Sequence, residues 1–289
     1  MILLMRVPFG EQKARCCHGI LHFGGVRLLR GLCGCCMMPP MKRSFLAGWF
    51  CCMAAVCAVS CSRMPDVPAR AEAIPGPAHS VRQGEAVKTA LAYTRMVWHG
   101  DSRHVLHGKD PDGLRVDTPD AGVAWRKGDA FWWRTDAANK GMPYKWGGFD
   151  TPRGYLRRLQ EDAFVVAGDY SSEEKVRLND DAVSRYAAGV DCSGFVSRCW
   201  RLEKPYSTRE LAALCRPLTS VKEMQPGDIM LREGVHVVMF LGWHDAEKKY
   251  FHAAEAGGIP QWKCYETIYL AEGLKECGYA PYRYRKMKP

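Results

Sequence analysis

The sequence predicts an α+β fold, with one helix that carries a candidate nucleophile packed on an antiparallel β-sheet meander. Three observations carry this. Behind Gly189-Val190-Asp191, the residues Phe195, Val196, Cys199 and Trp200 recur at helical spacing and make one apolar face. Downstream, three runs read as strands: Asp228-Ile229-Met230-Leu231, Val235-His236-Val237-Val238-Met239-Phe240-Leu241 and Tyr250-Phe251-His252-Ala253-Ala254. They follow one another closely, with Pro226-Gly227, Gly234 and Gly242 as punctuation, so a meander is the simplest arrangement.

Taken from the N-terminus, residues 1–40 are basic, hold Cys16, Cys17, Cys33, Cys35 and Cys36, and show neither a helical nor a strand period. Translation is expected to start at Met41, which makes this stretch a mis-assigned leader. A metal-binding extension would need ordered histidines, and His18 and His22 supply little of that. Residues 41–61 have the form of an export signal, with Met41-Lys42-Arg43 followed by an apolar run. Ala58-Val59-Ser60-Cys61 resembles the lipobox of bacterial lipoproteins, although leucine is more usual where Ala58 stands. Cleavage before Cys61 would leave a cysteine for lipidation, hence a membrane partner through an N-terminal lipid anchor and a place in the cell envelope. An uncleaved anchor suits so short an apolar run less well. Residues 62–80, with Pro65, Pro68, Pro75 and Pro77, read as a flexible tether. Residues 81–289 then form one domain with a sizeable core.

Within that domain, residues 84–98 read as an amphipathic helix through Val87, Leu91, Tyr93 and Trp98. Trp125, Phe131, Trp132 and Trp133 lead into Tyr144-Lys145-Trp146-Gly147-Gly148 and suit core packing better than a sugar-stacking platform. His99, His104 and His107 lie in loop-like sequence without a carboxylate at ligand spacing, so no metal site is expected there. Residues 149–189 hold a basic helix candidate at 155–162, a helix start at Ser171-Ser172-Glu173-Glu174, and Tyr170 and Tyr186.

Residues 1–61 contain nine of the 14 cysteines and +6 of the formal +10 charge, which leaves +4 on the remaining 228 residues. That mild excess suits an anionic surface and is no nucleic-acid footprint, and no phosphate loop, zinc finger or dinucleotide fingerprint is present. Cys192, Cys199, Cys215, Cys264 and Cys277 remain; an odd number in an exported domain suits one unpaired thiol, for which Cys192 is the candidate.

Cys192 sits where a helix would begin. A helix N-terminus leaves N–H groups unpaired and carries partial positive charge, so a thiol there ionises more readily and an oxyanion can be held beside it. Asp191 is placed to cap the amides that follow. His236, in a buried strand, needs a partner or a task. If the hairpin after it centres on His244, His236 and His252 face each other; if it centres nearer Ala246, they are offset.

The ordered set Tyr144-Lys145-Trp146-Gly147-Gly148, Asp191-Cys192-Ser193-Gly194, Pro226-Gly227-Asp228-Ile229, His236 and Phe251-His252-Ala253 resembles the NlpC-type, papain-like cell-wall cysteine peptidases over residues 142–256. The resemblance implies a papain-like domain with Cys192 as nucleophile, His236 as general base and His252 as the residue that orients the imidazole. It also implies that Tyr144 lines the site and that Asp191 and Ser193 hold the peptide end of the substrate. Ser207 or Thr208 resembles a further hydroxyl on the substrate side, though the pair also suits a helix cap ahead of Glu210. The implied partner is peptidoglycan or a muropeptide, cut at a stem-peptide amide such as that between D-glutamate and a diamino acid, with no cofactor required. An acyltransferase or thioesterase-like enzyme would use the same Cys/His pair, and a cleft blocked by the insert would leave a non-catalytic wall-binding lipoprotein. One departure stands out: the family runs from the Gly-Gly element to the cysteine through a short loop, whereas residues 149–189 intervene here as either a wall of the cleft or a peripheral decoration.

Overall fold

The computed structural model describes residues 69–123, 132–258 and 261–289. The leader, the export signal with Cys61, and Trp125 and Phe131 lie outside them. Six α-helices occur among the described residues: α1 (Gln83–Arg95), α2 (Pro152–Glu161), α3 (Glu173–Leu178), α4 (Cys192–Cys199), α5 (Thr208–Leu214) and α6 (Ala271–Glu276). The main sheet comprises β1 (Cys215–Pro217), β2 (Ile229–Arg232), β3 (His236–Trp243), β4 (Tyr250–Ala256), β5 (Cys264–Leu270) and β6 (Ala280–Tyr284). Its order is β5-β4-β3-β2-β6-β1, antiparallel throughout. This is a mixed α and β architecture, and β2, β3 and β4 form the expected meander.

Both faces of the sheet are covered, and strand alternation decides which residue goes where. Ile229, Leu231, Val237 and Met239 join one core with Tyr93 of α1 and Phe195, Val196 and Trp200 of α4 or its end. Met230, Val238, Phe240, Phe251 and Ala253 join a second core with Leu274 of α6. Burial on both faces explains why these strands read as continuous apolar runs rather than a clean alternation. The motif Pro226-Gly227-Asp228-Ile229 is a structural joint here. Asp228 is fully buried, accepts bidentate bonds from Arg283 at 2.8 and 2.6 Å, and also accepts from the Gln225 N–H.

Two expectations are corrected. Helix α1 ends at Arg95, because Met96 turns extended and the β-forming Val97-Trp98-His99 pairs with Ala138–Lys140. Residues 69–80, expected as tether, are held on the domain. Arg70 exchanges both backbone bonds with Val97 at 2.8 Å, and the Ala78 N–H donates to Arg201 O.

The insert of residues 149–189 folds into α2, α3 and a two-residue parallel pairing of Val166–Ala167 with Ala187–Ala188. Thr151 caps α2, with Pro152 at its first position, and Ser172 caps α3, so both helix starts carry ordinary signals. A buried Lys175–Asp169 ion pair ties α3 to the segment just after Val166–Ala167.

Candidate active site

The site is built where the Tyr-Lys-Trp-Gly-Gly segment, the start of α4 and the sheet meet. Lys145 N–H donates to Val190 O, Gly148 O accepts from Asp191 N–H, and Tyr144 N–H donates to Trp262 O at 2.8 Å. The approach is close enough to demand glycine. A Cβ on Gly194 would lie 2.1 Å from Gly148 O, and one on Gly148 would lie 2.7 Å from Val190 Cα. Residues 144–148 and the start of α4 are thus adjacent in space although residues 149–189 separate them in sequence.

Cys192 is the first residue of α4 and is buried. Asp191 caps the helix: its Oδ1 accepts from Gly194 N–H at 2.6 Å and from Ser193 Oγ at 3.0 Å. Burial pushes the Asp191 carboxyl up, against these bonds. The Phe195 N–H closes the first helical bond onto Asp191 O, so Cys192 lies in the first turn of α4, where backbone N–H groups have no intrahelical partner.

His236, at the start of β3, lies beside Cys192, whose thiol acts on its titration. Its Nε2 lies 2.6 Å from Oε2 of Glu255 on β4, so Nδ1 is the ring nitrogen left for the thiol. Burial works against a charged ring, but Tyr279, Cys192 and Glu255 outweigh it and hold the imidazole well above the usual histidine range. Glu255 is 2% exposed, and its other oxygen accepts from Tyr269 Oη. Burial opposes its charge too, yet His236, Tyr269 and Tyr265 keep the carboxyl below the usual glutamate range. The arrangement is a buried thiol–imidazole–carboxylate chain.

His252 does not join it. Met239 pairs with Ala254, so the hairpin centres near Ala246, and His252 falls opposite Gly242 beyond a bulge. Alternation then places His252 and Glu255 on opposite faces of β4. His252 is exposed, with Nε2 3.1 Å from His244 Nδ1. The orienting position expected for His252 is thus occupied by Glu255. One sequence signal pointed to it: a lone carboxylate inside the otherwise apolar run Ala253-Ala254-Glu255-Ala256.

The remaining expected residues divide. Tyr144 lies at the site: burial, then the charges of Cys192 and Asp191, raise its phenol well above the ordinary range, so the hydroxyl stays neutral. Its ring meets Trp262 at 5.2 Å, Trp262 meets Tyr170 of the insert at 5.6 Å, and Tyr170 meets Trp132 at 5.7 Å. The insert thereby contributes to an aromatic wall that starts beside the thiol. Ser207 caps α5 in a reciprocal box with Glu210. Thr208 is buried, and its Oγ1 accepts from Gly234 N–H at 2.9 Å, which fixes the turn entering β3 just before His236. No disulfide forms among the described cysteines, and Cys199, Cys215 and Cys264 are buried as Cys192 is. Contact with His236, not an odd count of cysteines, singles out Cys192.

Scans against protein-family models, curated proteins and solved structures returned no match for this chain.

Proposed function

We propose that this chain is an exported cell-wall hydrolase with an NlpC-type papain-like domain, cutting amide bonds of peptidoglycan stem peptides by a Cys192/His236/Glu255 thiol mechanism. The observation that carries the reading is Cys192 at the start of α4 in contact with His236, whose far nitrogen is held by a buried carboxylate. In this mechanism the raised basicity of His236 draws the thiol proton, and the sulfur attacks the amide carbonyl. The Cys192 N–H and the positive end of α4 stabilise the oxyanion. The imidazolium then protonates the leaving amine, and water, activated by the neutral ring, hydrolyses the thioester. Glu255 stabilises the imidazolium and fixes the ring so that Nδ1 faces sulfur. In this reading Tyr144, Asp191 and Ser193 meet the peptide end of the substrate, and the bond between D-glutamate and a diamino acid is the proposed target.

A second reading, acyl transfer by the same thiol, draws on the aromatic wall formed by Tyr144, Trp262 and Tyr170. Both are tested by incubating the protein and its Cys192→Ala variant with muropeptides and resolving products by mass spectrometry. Hydrolysed stem peptides made only by the native protein support the hydrolase. Products joined to an added amine or alcohol, without free acid, support transfer. Equal fragments from both proteins overturn the thiol mechanism.

A further inference from the structure

On the Trp262 side of the molecule lies a cavity of about 190 Å³, bordered by Trp132, Trp133, Trp262, Arg134, Lys140 and Lys263. It is large enough for one amino acid or one sugar ring and too small for a polymer. Three indoles and three cations line it and, among the described residues, no aspartate or glutamate does. The nearby Glu266 is already engaged, with bonds from Arg95 to both carboxylate oxygens and from the Thr94 hydroxyl. Burial, and then the charge of Lys140, depress the Lys263 ammonium from the usual lysine range. Three cations around a half-buried space, with the neighbouring Glu266 already shared with Arg95, form a place where an anion is stabilised.

The frame is rigid. Trp133 Nε1 donates to Ala167 O and Trp98 Nε1 to Gly141 O, so the Trp133 ring offers the cavity only its apolar surface. Gly141, at φ +85°, lies where a Cβ would meet Cys264 O at 2.1 Å. Trp262 itself is held at φ +46°, a conformation rare for a bulky residue, which persists only where the surroundings over-determine it. That ring is shared between the cavity and Tyr144 beside the thiol.

We propose that this cavity binds a compact carboxylate, its anionic end between Lys140 and Lys263 and its apolar body against the tryptophans. The carboxylate belongs to an amino acid or to a sugar acid, and the inference does not depend on thiol chemistry. The test is isothermal titration of the Cys192→Ala protein with N-acetyl-D-alanine and with N-acetylmuramic acid. Each is run beside an uncharged counterpart, N-acetyl-D-alaninamide and N-acetylglucosamine, with tryptophan fluorescence as a second readout. One acid is expected to bind saturably and perturb the fluorescence while its counterpart does not, and which acid binds identifies the source. Lys140→Gln or Lys263→Gln should weaken binding by about ten- to a hundredfold at an unchanged thermal midpoint. Should Lys263→Gln unfold, the exposed Lys140 carries the test alone. Absence of binding by both acids, equal binding of the neutral counterparts, or full affinity in folded lysine variants would overturn the proposal.

Discussion

Replacing Glu255 by glutamine keeps shape and removes charge from the innermost member of the site. In the native protein the ring of His236 is partly buried, which favours its neutral form, and Tyr279, Cys192 and Glu255 reverse that preference. Glu255 is one of three groups that raise the His236 titration, so its loss should lower that titration. The charged hydrogen bond that is removed is worth about 1.5–3 kcal/mol. The stability profile should change at both ends. His236 has a folded value above its unfolded one, so its contribution is complete below about pH 6.5 and is lost as pH rises through the raised value. Glu255 has a folded value below its unfolded one, so its contribution is present above about pH 4.3 and is lost as pH falls through the depressed value. The native protein is therefore expected to be most stable between these limits, and Glu255→Gln to flatten both flanks. The assay is nitrogen-15 NMR titration of the His236 imidazole, beside thermal midpoints across pH and muropeptide turnover. Turnover should fall by about ten- to a hundredfold, in line with a loss of that size in the transition state. A Glu255→Gln protein with an unmoved His236 titration and native turnover would refute the assignment of the orienting role.

Other substitutions separate the parts of the site. His252→Ala, at an exposed position bonded only to His244 in its side chain, should leave turnover within about twofold and stability within about 0.5 kcal/mol, read from kinetics and thermal melts. Asp191→Ala removes the cap of α4 and should cost about 1 kcal/mol, or about 2–4 °C in the thermal midpoint; Asp191→Asn should recover most of it. Gly194→Ala places a methyl into Gly148 O, so circular dichroism should report a protein that fails to fold or melts far below the parent.

Much of the site is legible in the sequence because its determinants are local. The cap Asp191, the apolar spacing of Phe195, Val196 and Cys199, and the glycine pair Gly147-Gly148 each announce a geometry within a few residues. The meander is legible for the same reason. The third member of the chain of bonds is not, because it depends on the register of β3 against β4, and a slip of one residue exchanges the faces. The hairpin centre near Ala246, where the Asp245 carboxylate accepts from the Lys249 and Tyr250 N–H groups, and the bulge between Phe240 and Gly242 are not fixed by the apolar pattern of the strands. His252 was the natural choice by pattern, and Glu255 wins by register. The docking of residues 69–80 was hidden as well. Proline and alanine content suggests a tether, but the Arg70 to Val97 bridge and the Ala78 bond to Arg201 are long-range pairings.

The most direct test of the central claim is the mass of the intact protein, acid-quenched during turnover of a stem peptide ending in a diamino acid. The thiol mechanism predicts an added mass equal to the acyl half of the peptide. The adduct should map to Cys192, be released by hydroxylamine as a thioester would be, and be absent from Cys192→Ala. Turnover with no adduct at any quench time, and with activity retained in Cys192→Ala, would contradict it.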